Sequence, residues 1–401
     1  MDTIEDDMTI STDVKQHLLR SFHESMLVAG WSFTGSGPNE KMRQMLVEFH
    51  VIHAELLLLE ESHLEIIVDI TRKMGNGMAD YSRRAAVTGQ LCIESIIDFD
   101  LYCHYAAGLV GEGLTRMFAQ PGKDQPLPAE LLALANSAGL FVQKVDIIRD
   151  FREDIEEQRC FWPKEIWGRE VYGIALGRPA FTRMEEMYQP ENEHQALWAL
   201  SGMIVDALKH VLDILDYIHL VQQTQMFEFF ALPQIISIAR LNRCYMNSTI
   251  FHGETDIGRV ETAFLVAQSS SSSAVVHVFR KYVRELRNKI VPEDPNYVDL
   301  LVACVKIELR IERHCSNVVS GHDGGNTPIS GPDPCATPGQ LAYKHVPDED
   351  LEARARNIVA SGRARSASWI NQFAQTLSLT HNTLLVFLGL LGTFLLYKYR
   401  V

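Results

Sequence analysis

The sequence predicts an all-α protein, a single large helical bundle followed by a C-terminal transmembrane helix. Apolar residues recur at helical intervals across residues 12–312, with few strand-like alternations. Turn-forming residues gather in short breaks between those runs, and the chain ends on an unbroken apolar stretch.

The helical interval is read in Met45, Leu46, Phe49, Val51, Ile52, Leu56 and Leu57, and again in Leu131, Leu132, Leu134, Ala135 and Ala138. It is sustained longest through Leu197, Leu200, Met203, Ile204, Ala207, Leu208, Val211, Leu212 and Leu215. Each series draws one apolar stripe along a helix, which must be buried against a neighbour. The breaks are Gly35-Ser36-Gly37-Pro38, Pro121-Gly122-Lys123-Asp124 and Pro292-Glu293-Asp294-Pro295. Short breaks set consecutive helices side by side, so a bundle of roughly ten helices follows.

The organisation expected is a helical domain over 1–315, a flexible linker and basic juxtamembrane segment over 316–376, and a membrane anchor over 377–401. The linker is rich in Gly, Pro and Ser, and leads to Arg354, Arg356, Arg363 and Arg365. From Leu384 to Leu396 the chain reads LLVFLGLLGTFLL. Extended back to Leu377 this gives about twenty residues, enough to cross a bilayer. The terminal Tyr397, Lys398, Tyr399 and Arg400 suit an interface, and the positive flank before the anchor puts the bundle on the cytosolic side. Met1 runs directly into acidic residues, so no secretory signal is expected. The formal charge of −14 argues against nucleic-acid binding. The 7 cysteines form no C-x-x-C pair, which argues against a zinc site or a disulfide framework.

One acidic pattern occurs twice. Asp2-Thr3-Ile4-Glu5-Asp6 and Asp150-Phe151-Arg152-Glu153-Asp154 both read D-x-x-E-D. On a helix, positions i, i+3 and i+4 share a face, so each pattern gathers like charges that a cation would compensate. Magnesium prefers such hard oxygen ligands and takes one or two carboxylates together with phosphate oxygens. An acidic helix face is more often simply solvated. The repetition, and the apolar Ile147-Ile148 that would bury the second helix, favour a metal–diphosphate site.

Tyr102-Cys103-His104-Tyr105-Ala106-Ala107-Gly108-Leu109-Val110-Gly111 closely resembles a signature of the squalene and phytoene synthases. The stretch from Asn136 to Lys144, running into Ile147-Ile148-Arg149-Asp150, resembles the second aspartate-rich block of that family. Phe161-Trp162-Pro163 and Phe227-Glu228-Phe229-Phe230-Ala231-Leu232-Pro233-Gln234 are more similar to its squalene-forming branch. The resemblance runs to about residue 315.

The resemblance implies a bundle of the isoprenoid-synthase type and a Mg2+-dependent farnesyltransferase of sterol biosynthesis. Two farnesyl diphosphates would condense head to head through presqualene diphosphate, and NADPH would reduce the product to squalene. Asp2, Glu5 and Asp6 would hold magnesium on one side, and Asp150 and Asp154 on the other. Tyr102 would assist proton loss and Phe229 would face the carbocation. Gln143, Arg149, Arg159 and Tyr217 fall on positions in or near the substrate cavity. The resemblance further implies a monomer, anchored in the endoplasmic reticulum membrane. Read from the residues alone, a tyrosine such as Tyr102 on an apolar helix is more often a packed core residue, and Phe229 is by default core. Gly108, Gly111 and Gly113 match no dinucleotide fingerprint and read as close helix packing. NADPH is implied by the resemblance only.

The chain departs from the family in three places. Family members carry helices before the first acidic motif, with a Ser-x-Ser-Phe element, so the domain is expected to be N-terminally truncated. A helix opening at its second residue should also be frayed and uncapped. The family's basic run after Phe-x-Gly is weakened to Arg259, and Asp256 there should repel phosphate. Asp146 stands where a neutral asparagine is common, and reads either as a further ligand or as added repulsion. Two other readings stay open: a phytoene- or dehydrosqualene-type synthase without reduction, and a membrane-tethered prenyl-diphosphate-binding protein with an incomplete site.

Overall fold

A computed structural model describes residues 1–38, 40, 42–118, 127–221, 227–253, 255–320 and 351–356. The N-terminal part holds α1 (Asp2–Asp6), α2 (Thr12–Ser25), α3 (Arg43–Val47), α4 (Phe49–Leu56) and the long α5 (Glu61–Thr88). After β1 (Leu91–Cys92) come α6 (Ile96–Cys103), a π-helical turn (His104–Gly108) and α7 (Leu109–Phe118). Next are α8 (Ala129–Arg149), α9 (Phe151–Glu156), β2 (Arg159–Cys160), α10 (Lys164–Trp167) and α11 (Glu170–Ile174). The chain closes the bundle with α12 (Glu193–Leu208), α13 (Val211–Val221), α14 (Phe227–Cys244), α15 (Arg259–Gln268), α16 (Ser272–Lys289) and α17 (Tyr297–Ser320). The predicted all-α class is found, with β1 and β2 as one short parallel pair.

The helix α8 is the spine. Leu131, Ala135, Ala138, Phe141, Val145 and Ile148 are all buried along it, and it packs against α7, α12, α13 and α14. Its approach to the preceding segment is set by glycine. A side chain at Gly139 would overlap the Ala107 carbonyl, one at Gly108 the Asn136 amide, and one at Gly111 the Ala135 carbonyl. Backbones come this close only where Cβ is missing. Lys144, buried on the same helix, is neutralised by Asp206 of α12 at 2.6 Å and Asp100 of α6 at 2.5 Å. A buried charge is tolerated on such terms.

A second, smaller core holds Ile4, Leu19, Phe22, Leu46, Phe49 and Met78. It seats α1 against α2 and α5. The expectation of a frayed first turn is overturned. Ile4 is fully buried, the amides of Ile4 and Glu5 both donate to the Met1 carbonyl at 2.9 Å, and Lys15 Nζ donates to the Glu5 carbonyl at 2.6 Å. Tertiary packing supplies what a cap would otherwise provide.

The expected boundary at 315 falls inside α17, which continues to Ser320. Residues 351–356 are helical, with Ala355 packed on Val302 and Val305 of α17 and Glu352 paired to Lys306 at 3.1 Å. The rest of the expected linker, and the whole of the expected anchor, lie outside the described residues. Substituting Gly139→Ala should lower stability by about 1–3 kcal/mol, the cost of overpacking. Denaturant unfolding of the full chain in detergent reads this, and an unchanged midpoint would refute the close approach.

Candidate active site

The two acidic motifs meet at Arg159. Its guanidinium pairs with Asp6 of the first motif, with Asp154 of the second at 3.0 Å, and with Glu157 at 2.8 Å. Local backbone aims it there. Gln158 takes a left-handed φ of 60°, turning the chain out of α9, and Arg159 then pairs with Leu91 in the parallel strand ladder. Asp6 keeps 36% of its side chain exposed. Asp154 is buried. Asp7, next to the motif, is structural. It accepts from Thr9 N at 2.9 Å, Thr9 Oγ1 at 2.6 Å and Gly37 N at 2.8 Å.

The electrostatics mark these carboxylates as one cluster. Removal from water, reinforced by Asp2 and opposed by Arg159, pushes the Asp6 carboxyl up to about 7. Burial, then the charges of Asp6 and Asp2, raises Glu5 well above the usual carboxylate range. Burial, with Asp150 and Asp6 adding and Arg159 opposing, does the same to Asp154. Asp2 itself is exposed. Among the described residues no three His, Cys, Asp or Glu side chains converge into a preformed metal cage. The donor chemistry still fits magnesium, which needs only one or two carboxylates when phosphate oxygens complete its shell.

Tyr102, at the end of α6, lies beside this cluster. It is buried, stacked on Phe161 at 4.6 Å and edge-on to Tyr81 at 5.0 Å. Burial, then Glu5 and Asp6, raises its hydroxyl well above its ordinary value, so the phenol holds its proton.

A second network surrounds Asp150, which sits at the junction of α8 and α9. Arg149 grips it with two bonds, at 2.7 and 2.5 Å, and reaches Asp146 at 3.2 Å. Asp146 is buried and also faces Arg240 at 3.3 Å. Arg240 is bonded at 2.8 Å to both oxygens of Asp256. Asp256, read from the sequence as a source of repulsion, and Asp146, read as a further ligand or as added repulsion, are thus both paired to guanidinium groups. Arg240 is the residue sequence reasoning missed. Its signal is a lone charge inside the apolar run Ile235-Ile236-Ser237-Ile238-Ala239-Arg240-Leu241.

The remaining candidates spread out. Gln143 lies on α8 at i−3 from Asp146, on the same helical face. Tyr217 is a core tyrosine whose hydroxyl bonds Thr115 Oγ1 at 2.7 Å. Phe227 and Phe230 are buried, whereas Phe229 between them is half-buried, with its ring 6.4 Å from that of Phe230. Arg259 is exposed at the first position of α15, and among the described residues it joins neither ion network.

Residues 1–261 match the family model for squalene/phytoene synthase. The chain is 48% identical over 320 residues to a squalene synthase of Ganoderma lucidum, covering 80% of this chain and 68% of that one. It is 41% identical over 308 residues to a squalene synthase of Schizosaccharomyces pombe, covering 77% and 65%. The chain therefore spans about two thirds of the length of these relatives. Among solved structures, the complex of TcSQS with the ligand BPH1237 superposes with a TM-score of 0.70 at 32% identity, covering 78% of this chain and 87% of that one.

The carboxylate cluster dictates a pH dependence. A carboxyl raised from about 4 to the vicinity of neutrality stabilises the metal-free fold at low pH, and that contribution is lost as pH rises through the folded value. For Asp6 the loss centres on about 7. A divalent cation needs the ionised form. Mg2+ should therefore raise the melting temperature more at pH 8 than at pH 6, and Asp6→Asn should remove most of the difference. Equal shifts at both pH values would exclude Asp6 as a ligand.

Proposed function

This chain belongs to the squalene/phytoene synthase family, and from that premise we propose that it condenses two farnesyl diphosphates head to head, through presqualene diphosphate, and yields squalene on reduction by NADPH. The observation that carries the reading is the meeting of Asp6 and Asp154 on one guanidinium, beside the buried Tyr102.

Asp6 and Asp154 would hold Mg2+, with Glu5, Asp2 and Asp150 flanking them. Bound there, the metal supplies charge neutralisation for the departing diphosphate. Arg159, paired with Asp6, Asp154 and Glu157, and Arg149, paired with Asp150 and Asp146, hold these carboxylates in place. Tyr102, held protonated, donates a hydrogen bond to the anionic end of the substrate. As the cyclopropane closes, its oxygen accepts the released proton and its own proton passes to diphosphate. The half-buried Phe229 offers a ring face to an allylic cation.

NADPH supplies the hydride of the second step. We assign no residue to it, because Asp256 already occupies Arg240 and Arg259 stands apart. The apolar segment 377–396 would tether a monomer to the endoplasmic reticulum membrane, with the bundle in the cytosol.

The full chain in detergent, supplied with farnesyl diphosphate and Mg2+, should form squalene only when NADPH is present. A hydrocarbon formed without NADPH would assign it to the non-reducing branch, and absence of any prenyl product would sink the reading. Asp154→Asn should lower turnover by about 100-fold or more, the scale expected when a metal's charge stabilisation is lost. Tyr102→Phe should lower kcat, because it removes the proton path, and raise KM, because it removes the hydrogen bond to the anionic end of the substrate.

A further inference from the structure

Arg240 stands where an apolar residue would be expected. It lies on the buried side of α14, is 1% exposed, and is preceded by Ile235, Ile236, Ile238 and Ala239, all buried. A guanidinium is placed there at a cost, repaid only by well-formed ion pairs. Its Nε and Nη2 bond both Asp256 oxygens at 2.8 Å, and its Nη1 faces Asp146 Oδ1 at 3.3 Å. The same Asp146 oxygen faces Nη1 of Arg149 at 3.2 Å. That contact leaves the Nε and Nη2 edge of Arg149 turned on Asp150, at 2.7 and 2.5 Å.

Asp256, Arg240, Asp146, Arg149 and Asp150 thus form a chain of alternating charge that runs from the loop before α15, through the core, to the second acidic motif. The orientation of Arg149 depends on Asp146 staying where it is, and Asp146 is held from behind by Arg240. Without Arg240, Asp146 and Asp256 would both turn on Arg149, which already lies 3.2 and 3.9 Å from them, and draw it off Asp150. We infer that Arg240 is a positioning residue of this site, fixing Arg149 and hence the Asp150 carboxylate that Arg149 grips beside the proposed Mg2+–diphosphate position. The inference rests on the prenyl-diphosphate activity proposed above.

The test is isothermal titration of inorganic diphosphate with Mg2+ into the full chain in detergent, with thermal unfolding measured alongside. Arg240→Lys keeps the charge but cannot span both carboxylates as a fork does. It should leave the melting temperature within a few degrees, yet bind diphosphate about fivefold or more weakly. The double variant R240M/D256N removes both charges of one pair and should show the same loss. A role in charge balance alone predicts unaltered binding in both. Wild-type affinity in either folded variant overturns the inference and leaves the activity standing. Failure of the unaltered chain to bind diphosphate overturns the proposed activity and this inference with it.

Discussion

Like charges gathered in a partly dry place must be matched, and that requirement governs the centre of this molecule. Asp6, Glu5, Asp154 and Asp150 come from two segments far apart in sequence and are drawn together with much of their hydration removed. The cost of such a gathering is large unless cations share it. Arg159 bridges the two motifs directly, and Arg149 holds Asp150. The remaining excess of negative charge is what makes the place receptive to a divalent cation. Ion pairing and ligand binding here draw on the same imbalance.

The scaffold exists to hold those groups at the right separation. The helix α8 carries Gln143, Asp146 and Arg149 on successive turns, and it lies against the α6–α7 segment only because Gly108, Gly111 and Gly139 leave room. Tyr102, at the end of α6, lies among the charges of the first motif and Arg159. The small core around Ile4 does the equivalent for α1, pressing a five-residue helix onto α2 and α5. A helix so short has no stability of its own, so the first motif is positioned by its tertiary contacts, the packing of Ile4 and the bonds from Lys15 and Arg159. The β1–β2 pair completes the arrangement by aiming Arg159.

Much of this was legible before any coordinate. Helical spacing and breaker placement predicted the bundle, the repeated D-x-x-E-D pointed to a cation site, and the glycines of 108–111 read as close packing. The electrostatic partners were less legible. Asp256 looked like a source of repulsion because its neighbour in space, Arg240, lies 16 residues away on α14. Asp146 looked like a spare ligand or a liability, but is buried between two arginines. The second motif was drawn as one continuous helical face, whereas Asp150 falls at a junction where Arg149 captures it.

By itself the sequence determined the residue types, their periodicity and hence the all-helical class, since those depend on local propensity and on the solvent preference of each side chain. It also determined family membership, through strings too specific to arise from composition. Only the tertiary structure decided which carboxylate faces which guanidinium, that Asp7 is a loop anchor while Asp6 belongs to the site, and that Arg240 stands behind Arg149. Charge is felt through space over a few ångströms, and chain order carries no record of that distance.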